Sequence, residues 1–186
     1  MLSGSSKGYS LFRACAPLFF QVVLSYPQIC SQNLDISIYN VLYHGEFALR
    51  QFVFFDTASA LVFGNTPLIS YDTSLGPTQS ESGRFALEWI YGCPSHIVLL
   101  MARINAWRIP GCTRHQSSYE GWRDIEKMLK DWSPDIDPND ESPNMVGRLA
   151  VHECWRHATF IYLYMVSVFK CFRLTPRLFM RLLGDV

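Results

Sequence analysis

The stretch EFALRQFVFFDTASALVF, from Glu46 to Phe63, decides the fold class. Apolar side chains occur on nearly every side of this segment when it is wound as a helix, which is typical of a helix buried in a core. Gly64 follows directly, and Asn65 and Pro67 come soon after it, so the segment ends with the residues that commonly close a helix. The sequence therefore predicts a core helix over this stretch.

Two amphipathic helices are predicted farther along the chain. The first begins at Pro94, because the first helical turn tolerates proline, and ends at Arg108. Ahead of the second, Ser117 and Glu120 form a capping-box pattern, and an apolar stripe then continues to Trp132.

The most strongly marked helix has Ser142 as its N-cap and Pro143 at its first position, and apolar residues then recur at helical spacing. Residues 64–84 are rich in Gly, Pro, Ser and Thr and predict a loop. Sustained strand-like alternation and internal repeats are absent from the sequence. We therefore predict an all-α fold, a helical array of at least four helices that forms a fragment of a larger helical domain.

Composition limits the classes of function. The 186 residues, 49% of them hydrophobic, suffice for one domain with a core. A formal net charge of zero gives no overall attraction to nucleic acid. The six cysteines contain no C-x-x-C pair, which excludes a zinc finger or a binuclear zinc cluster within this chain. Free thiols in apolar helices favour an intracellular protein.

Two apolar runs bear on membrane association. Lys7 and Arg13 precede the apolar stretch Ala14–Leu24, which loosely resembles a signal peptide but lacks a convincing cleavage site. The run Ala158–Phe169 has twelve residues, whereas a membrane span needs about 20. Membrane association is therefore the less favoured prediction. The alternative function is a membrane-peripheral or secreted helical protein without catalytic activity, which would use the N-terminal run and the basic residues of 170–181.

His152, Cys154 and His157 are the nearest approach to a chemical site. On a helix, His152 and Cys154 point about 200° apart, so the three side chains do not converge on a metal ion or a substrate. Phosphate-binding loops and nucleophile-elbow motifs are absent from the sequence. We therefore predict that the chain is not an enzyme and has no catalytic, cofactor-binding or metal-binding residues.

Two further residue groups each allow a functional and a structural interpretation. The acidic segment 131–141 could bind calcium through Asp135, Asp137 and Asp140, but it lacks the glycine and late glutamate of an EF-hand, which favours a solvated loop. A set of large aromatic side chains could line a ligand pocket, although core packing is favoured. These are Trp89, Tyr91, Trp107, Trp122, Trp132 and Trp155.

Three blocks, in this order, resemble a known family. They are RQFVFFD at Arg50–Asp56, LEWIYGCP at Leu87–Pro94, and RLAVHECWRHATFIYLY at Arg148–Tyr164. Together they resemble the regulatory, or middle-homology, domain of fungal-specific transcription factors, which is found downstream of a six-cysteine zinc cluster. The resemblance covers residues 46–165.

The resemblance implies a regulatory or effector domain in a fungal nucleus. Such a domain would act through protein contacts or an inducer and not by reading DNA directly. Its expected partners are other proteins of the transcription machinery or a homodimer partner.

The ends of the chain are less well determined. Residues 1–45 form a poorly determined N-terminal segment, and residues 166–186 form an atypical basic tail. A splice donor translated in frame commonly encodes Val-Ser, as at Val166 and Ser167, so a gene-model artefact is one interpretation of the tail.

Overall fold

The computed structural model describes residues 3–30, 35–76, 86–109, 121–134 and 144–183, with only the backbone described at 3–6, 86 and 171–183. These parts of the chain are predominantly helical, which confirms the predicted all-α class. The helices are α1 (Ser3–Ala14), α2 (Ala16–Leu24), α3 (Ile38–His44), α4 (Phe47–Phe63), α5 (Ala86–Tyr91), α6 (Ser95–Arg108), α7 (Gly121–Asp131) and α8 (Met145–Leu183).

Helix α6 lies at the centre of the array. It packs against α3, α4, α7 and α8, and every side chain from Ile97 to Asn105 is buried. The sequence placed the apolar face of α6 on one side, and this prediction was wrong. The predicted core helix α4 does contribute buried residues to the core, but on one side only. Neighbours on several sides bury α6 all round, whereas α4 leaves Phe47, Phe55 and Phe63 exposed.

The end of α4 confirms the predicted glycine stop. Gly64 is in the left-handed region, with φ of 69°, where glycine avoids the steric cost that other residues meet. The guanidinium of Arg108, at the end of α6, donates hydrogen bonds to the backbone carbonyls of Gly64 and Asn65. A positive charge therefore lies at the carbonyl end of α4, where the helix dipole favours it.

The segment after α4 differs in part from the predicted loop. Tyr71–Asp72 forms a short strand, β2, which pairs in parallel with β1 at Ile36–Ser37. Each strand has two residues, which is too short for side-chain alternation to appear in the sequence. The Ser37 hydroxyl also accepts a hydrogen bond from the Asn40 N–H and caps α3.

The N-terminal apolar stretch forms part of the helical array. Cys15 separates α1 from α2, and Phe19 and Val23 bury one side of α2. The Phe19 ring stacks on Phe52 of α4, with ring centroids 4.2 Å apart. No helix in the described ranges combines the length and apolar character needed to cross a bilayer.

Helices α7 and α8 complete the structure. Both predicted helices are present, but the predicted caps Ser117, Glu120, Ser142 and Pro143 lie outside the described residues. The backbone of α8 remains helical through the basic tail to Leu183.

Candidate functional site

The three blocks that carry the family resemblance meet in one aromatic cluster. Tyr91, at the end of α5, stacks on Phe54 of α4 with ring centroids 4.7 Å apart. Phe54 also meets Trp155 of α8 edge to face, at 5.8 Å. The Trp155 indole N–H donates to the Tyr91 carbonyl, at 3.2 Å. One residue from each block therefore joins α4, α5 and α8.

Gly92 allows this arrangement, because the chain must turn sharply between α5 and α6. Its φ is 62°, and its N–H donates to the carbonyl of Glu88. A Cβ at this position would lie 2.5 Å from a methyl carbon of Val151. Glycine thus provides both the backbone conformation and the space for α8.

His152 makes a second contact between α5 and α8. Its imidazole is buried, and its Nε2 lies 3.3 Å from a carboxylate oxygen of Glu88. Burial lowers the pKa of His152, and the nearby Glu88 carboxylate opposes that shift. The Nδ1 atom has no hydrogen-bond partner among the described residues.

The other members of the predicted His–Cys–His group face elsewhere. Cys154 and His157 are exposed, and the His157 ring contacts the backbone carbonyl of Glu153 one turn earlier. Within the described residues, no three His, Cys, Asp or Glu side chains are grouped so that they could hold a metal ion.

Asp56 is a buried carboxylate that holds the segment after α4. It accepts hydrogen bonds from the Leu68 N–H at 2.7 Å, the Ile69 N–H at 3.2 Å and the Tyr71 hydroxyl at 3.0 Å. Burial raises the pKa of Asp56, although all three hydrogen bonds favour the charged form. These contacts fix the path of the chain from α4 to β2.

Asn105 connects the central helix to its neighbours on two sides. It donates to the Thr57 carbonyl of α4 at 3.3 Å and accepts a hydrogen bond from the Tyr162 hydroxyl of α8. Both Asn105 and Tyr162 are buried, so each compensates the other's desolvation. The network orders three helices and includes no nucleophile beside a general base.

A small cavity of about 70 Å³ lies between α4, α6 and the segment before β2. Its lining includes Thr57, Tyr71, Asn105 and Ile109, and most of the lining surface is apolar. Sites for small molecules usually measure about 300–1,000 Å³. This cavity is therefore too small to hold such a ligand in the conformation described.

Sequence reasoning missed Asp56, Asn105 and the cluster around Tyr91. Asp56 gave one usable signal, because an acidic residue within the apolar run FVFFDTASALVF must be hydrogen bonded if the helix is buried. Its partners lie twelve to fifteen positions away, in a segment that carries no pattern of its own.

The predicted core packing of the aromatic residues is confirmed for most of them. Tyr91, Trp107, Trp122, Trp132 and Trp155 are partly buried against the core. Trp89 is the exception, since it is 61% exposed. Asp135, Asp137 and Asp140 of the acidic segment lie outside the described residues.

Large apolar side chains are also exposed on several helices, among them α2 and α8. On α2, Leu18 and Leu24 face solvent. On α8, Val146 and Val151 are exposed near the start of the helix. Farther along, five exposed residues form a set that we call the outer face of α8: Ile161, Tyr164, Met165, Val168 and Phe169. Contiguous exposed apolar surface of this kind commonly marks a place of protein contact.

The family model of the fungal-specific transcription factor domain matches residues 3–179. The chain belongs to this family. The match includes α1 and α2 and most of α8, so it extends beyond the residues 46–165 that carried the resemblance. No curated protein and no solved structure matches the chain.

Membership of the fungal transcription factor domain family assigns the chain a role in transcriptional regulation. The family is not known for catalysis. The cluster around Tyr91 and the contacts of Asp56 and Asn105 are accordingly features that order the helices of a regulatory domain.

Proposed function

We propose that this chain is a regulatory or effector domain that acts in the nucleus through contacts with other proteins. It does not read DNA and does not catalyse a reaction. Its partners are other proteins of the transcription machinery or a second copy of the chain. The observation that carries this proposal is the exposed apolar surface of α2 and α8 on a domain of the fungal transcription factor family.

The sizes of the cavity and of the outer face of α8 favour protein contacts over binding of an inducer. The described cavity of about 70 Å³ is too small for a typical small-molecule ligand, whereas the outer face of α8 alone presents five large side chains. A net charge of zero also fails to supply the electrostatic attraction on which DNA binding depends.

A tethering experiment tests this function. The chain is fused to an unrelated DNA-binding domain of known operator, and transcription of a reporter is measured in fungal cells. We expect the fusion to change reporter transcription several-fold relative to the DNA-binding domain alone. Leu100→Asp is the control, because Leu100 is fully buried and a charge there unfolds the domain and abolishes the effect.

Three results would contradict the proposal. They are a folded fusion that leaves the reporter unchanged, saturable binding of duplex DNA by the purified chain at physiological salt, and recovery of the tagged chain in membrane fractions. The last of these results would support the membrane-peripheral alternative.

A further inference from the structure

Helix α8 has two apolar faces, and only one of them is covered within the described part of the chain. Tyr162, Leu163 and Val166 are buried, and α8 packs there against α6. The side chains of the outer face are between 42% and 66% exposed.

The outer face is one continuous stripe on the helix. Its members follow the spacing i, i+3, i+4, i+7 and i+8, beginning at Ile161. Ile161 and Leu163 are about 200° apart around the helix axis, so the stripe lies opposite the buried face. Residues 158–169 contain no charged side chain, and the charge recorded against the stripe is at its edge, where the Tyr164 hydroxyl donates to the Glu126 carboxylate of α7 at 2.6 Å.

We propose that the outer face of α8 binds the same face of a second copy of this chain, forming a symmetric dimer. The five side chains expose roughly 500 Å² together, so the pair would bury about 1,000 Å², which is about the minimum for a biological interface and fits a weak, reversible dimer. A two-fold pair places the same apolar stripe on both sides, which makes the interface self-complementary. The zero net charge means that two copies do not repel each other.

Sedimentation velocity on the full 186-residue chain tests this dimer. We expect a concentration-dependent dimer at micromolar protein. Ile161→Glu and Val168→Glu should each weaken the dimer at least about 100-fold, because each buries a charge within the interface.

Leu18→Glu is the matched control, because Leu18 of α2 and Ile161 are both 61% exposed. The same charge should leave dimerisation unchanged at position 18, and circular dichroism should show that all three variants are folded. A chain that remains monomeric up to about 100 µM, well above the affinity expected of a specific interface, refutes the proposal. An equal loss of dimer in Leu18→Glu and Ile161→Glu also refutes it.

The dimer and the proposed function fail in different assays. Loss of the reporter effect with an intact dimer would refute the function alone, and a monomer that still regulates the reporter would refute the dimer alone.

Discussion

Replacing Asp56 with alanine removes the acceptor that fixes the chain after α4. Two backbone N–H groups and the Tyr71 hydroxyl would then lose their partner. An unpaired buried donor costs about 1–3 kcal/mol, but Leu68 lies nearer the surface, where water can replace the lost bond. We therefore expect Asp56→Ala to lower the free energy of unfolding by about 3 kcal/mol in total.

Two further variants make this prediction specific. Tyr71→Phe removes one donor and leaves the carboxylate bonded to the backbone, so it should cost only about 1 kcal/mol. Asp72→Asn is the control, since Asp72 bonds only to Ser74 in an exposed turn among the contacts described, and an amide oxygen can accept the same bonds. We expect this control to change the free energy of unfolding by less than about 0.5 kcal/mol.

Urea denaturation followed by circular dichroism measures these differences, provided that the slope of the transition is unchanged. If Asp56→Ala were as stable as Asp72→Asn, the carboxylate would not hold this segment, and the role assigned to it would be wrong.

The pH dependence of Asp56 provides a second, independent test. Burial raises its pKa in the folded state, so the folded protein takes up a proton more readily than the unfolded chain. The free energy of unfolding should therefore increase as pH falls from neutral through that raised pKa, and the gain should be complete below the ordinary aspartate pKa. Asp56→Asn removes this contribution, so identical pH profiles for the two proteins would contradict the expected shift.

Three other predictions follow from single residues. Gly64→Ala should lower the free energy of unfolding by about 1 kcal/mol, through its left-handed backbone alone. Gly92→Ala should lower it by at least about 2 kcal/mol, because the added Cβ also meets α8. Equal losses of stability in thermal or urea denaturation would contradict this prediction. Burial raises the pKa of Cys93 well above the ordinary thiol value. A maleimide at neutral pH should therefore label exposed Cys154 and spare Cys93 in peptide mass spectrometry of the native protein. Equal labelling of the two cysteines would show that Cys93 is not buried. Burial lowers the pKa of His152 in the folded protein, so the unfolded chain binds the proton more readily. The wild type should therefore lose stability relative to His152→Gln as pH falls below the ordinary histidine pKa. Urea midpoints of the two proteins that stay parallel across this pH range would contradict the shift.

The sequence predicted helices best where local signals fix both ends. Gly64 closes α4 as expected, and Pro94 directly precedes α6. The extent of burial of α6 was predicted wrongly, because burial depends on neighbours that are distant in sequence. Helix α6 is covered by four other helices, and no pattern within α6 itself records them.

The ordering contacts were harder to predict than the helices, because their partners are far apart along the chain. Phe54, Tyr91 and Trp155 are 101 positions apart from first to last, and each alone is an ordinary apolar residue on a helix. The order of the three blocks indicated a family, but only the folded chain shows that they converge on Tyr91.

The uncharged run at residues 158–169 shows what a sequence can state about a surface. Its length excluded a membrane span and favoured a buried helix, and the structure buries only one side of it. A helical segment without charge on any side has apolar surface on two faces, and α8, which packs against α6 and α7 on its inner side, leaves the other face uncovered. The sequence therefore indicated how much apolar surface α8 carries. The fold shows which side is covered: α6 packs against the face of Tyr162, Leu163 and Val166, and the outer face is left available to a partner.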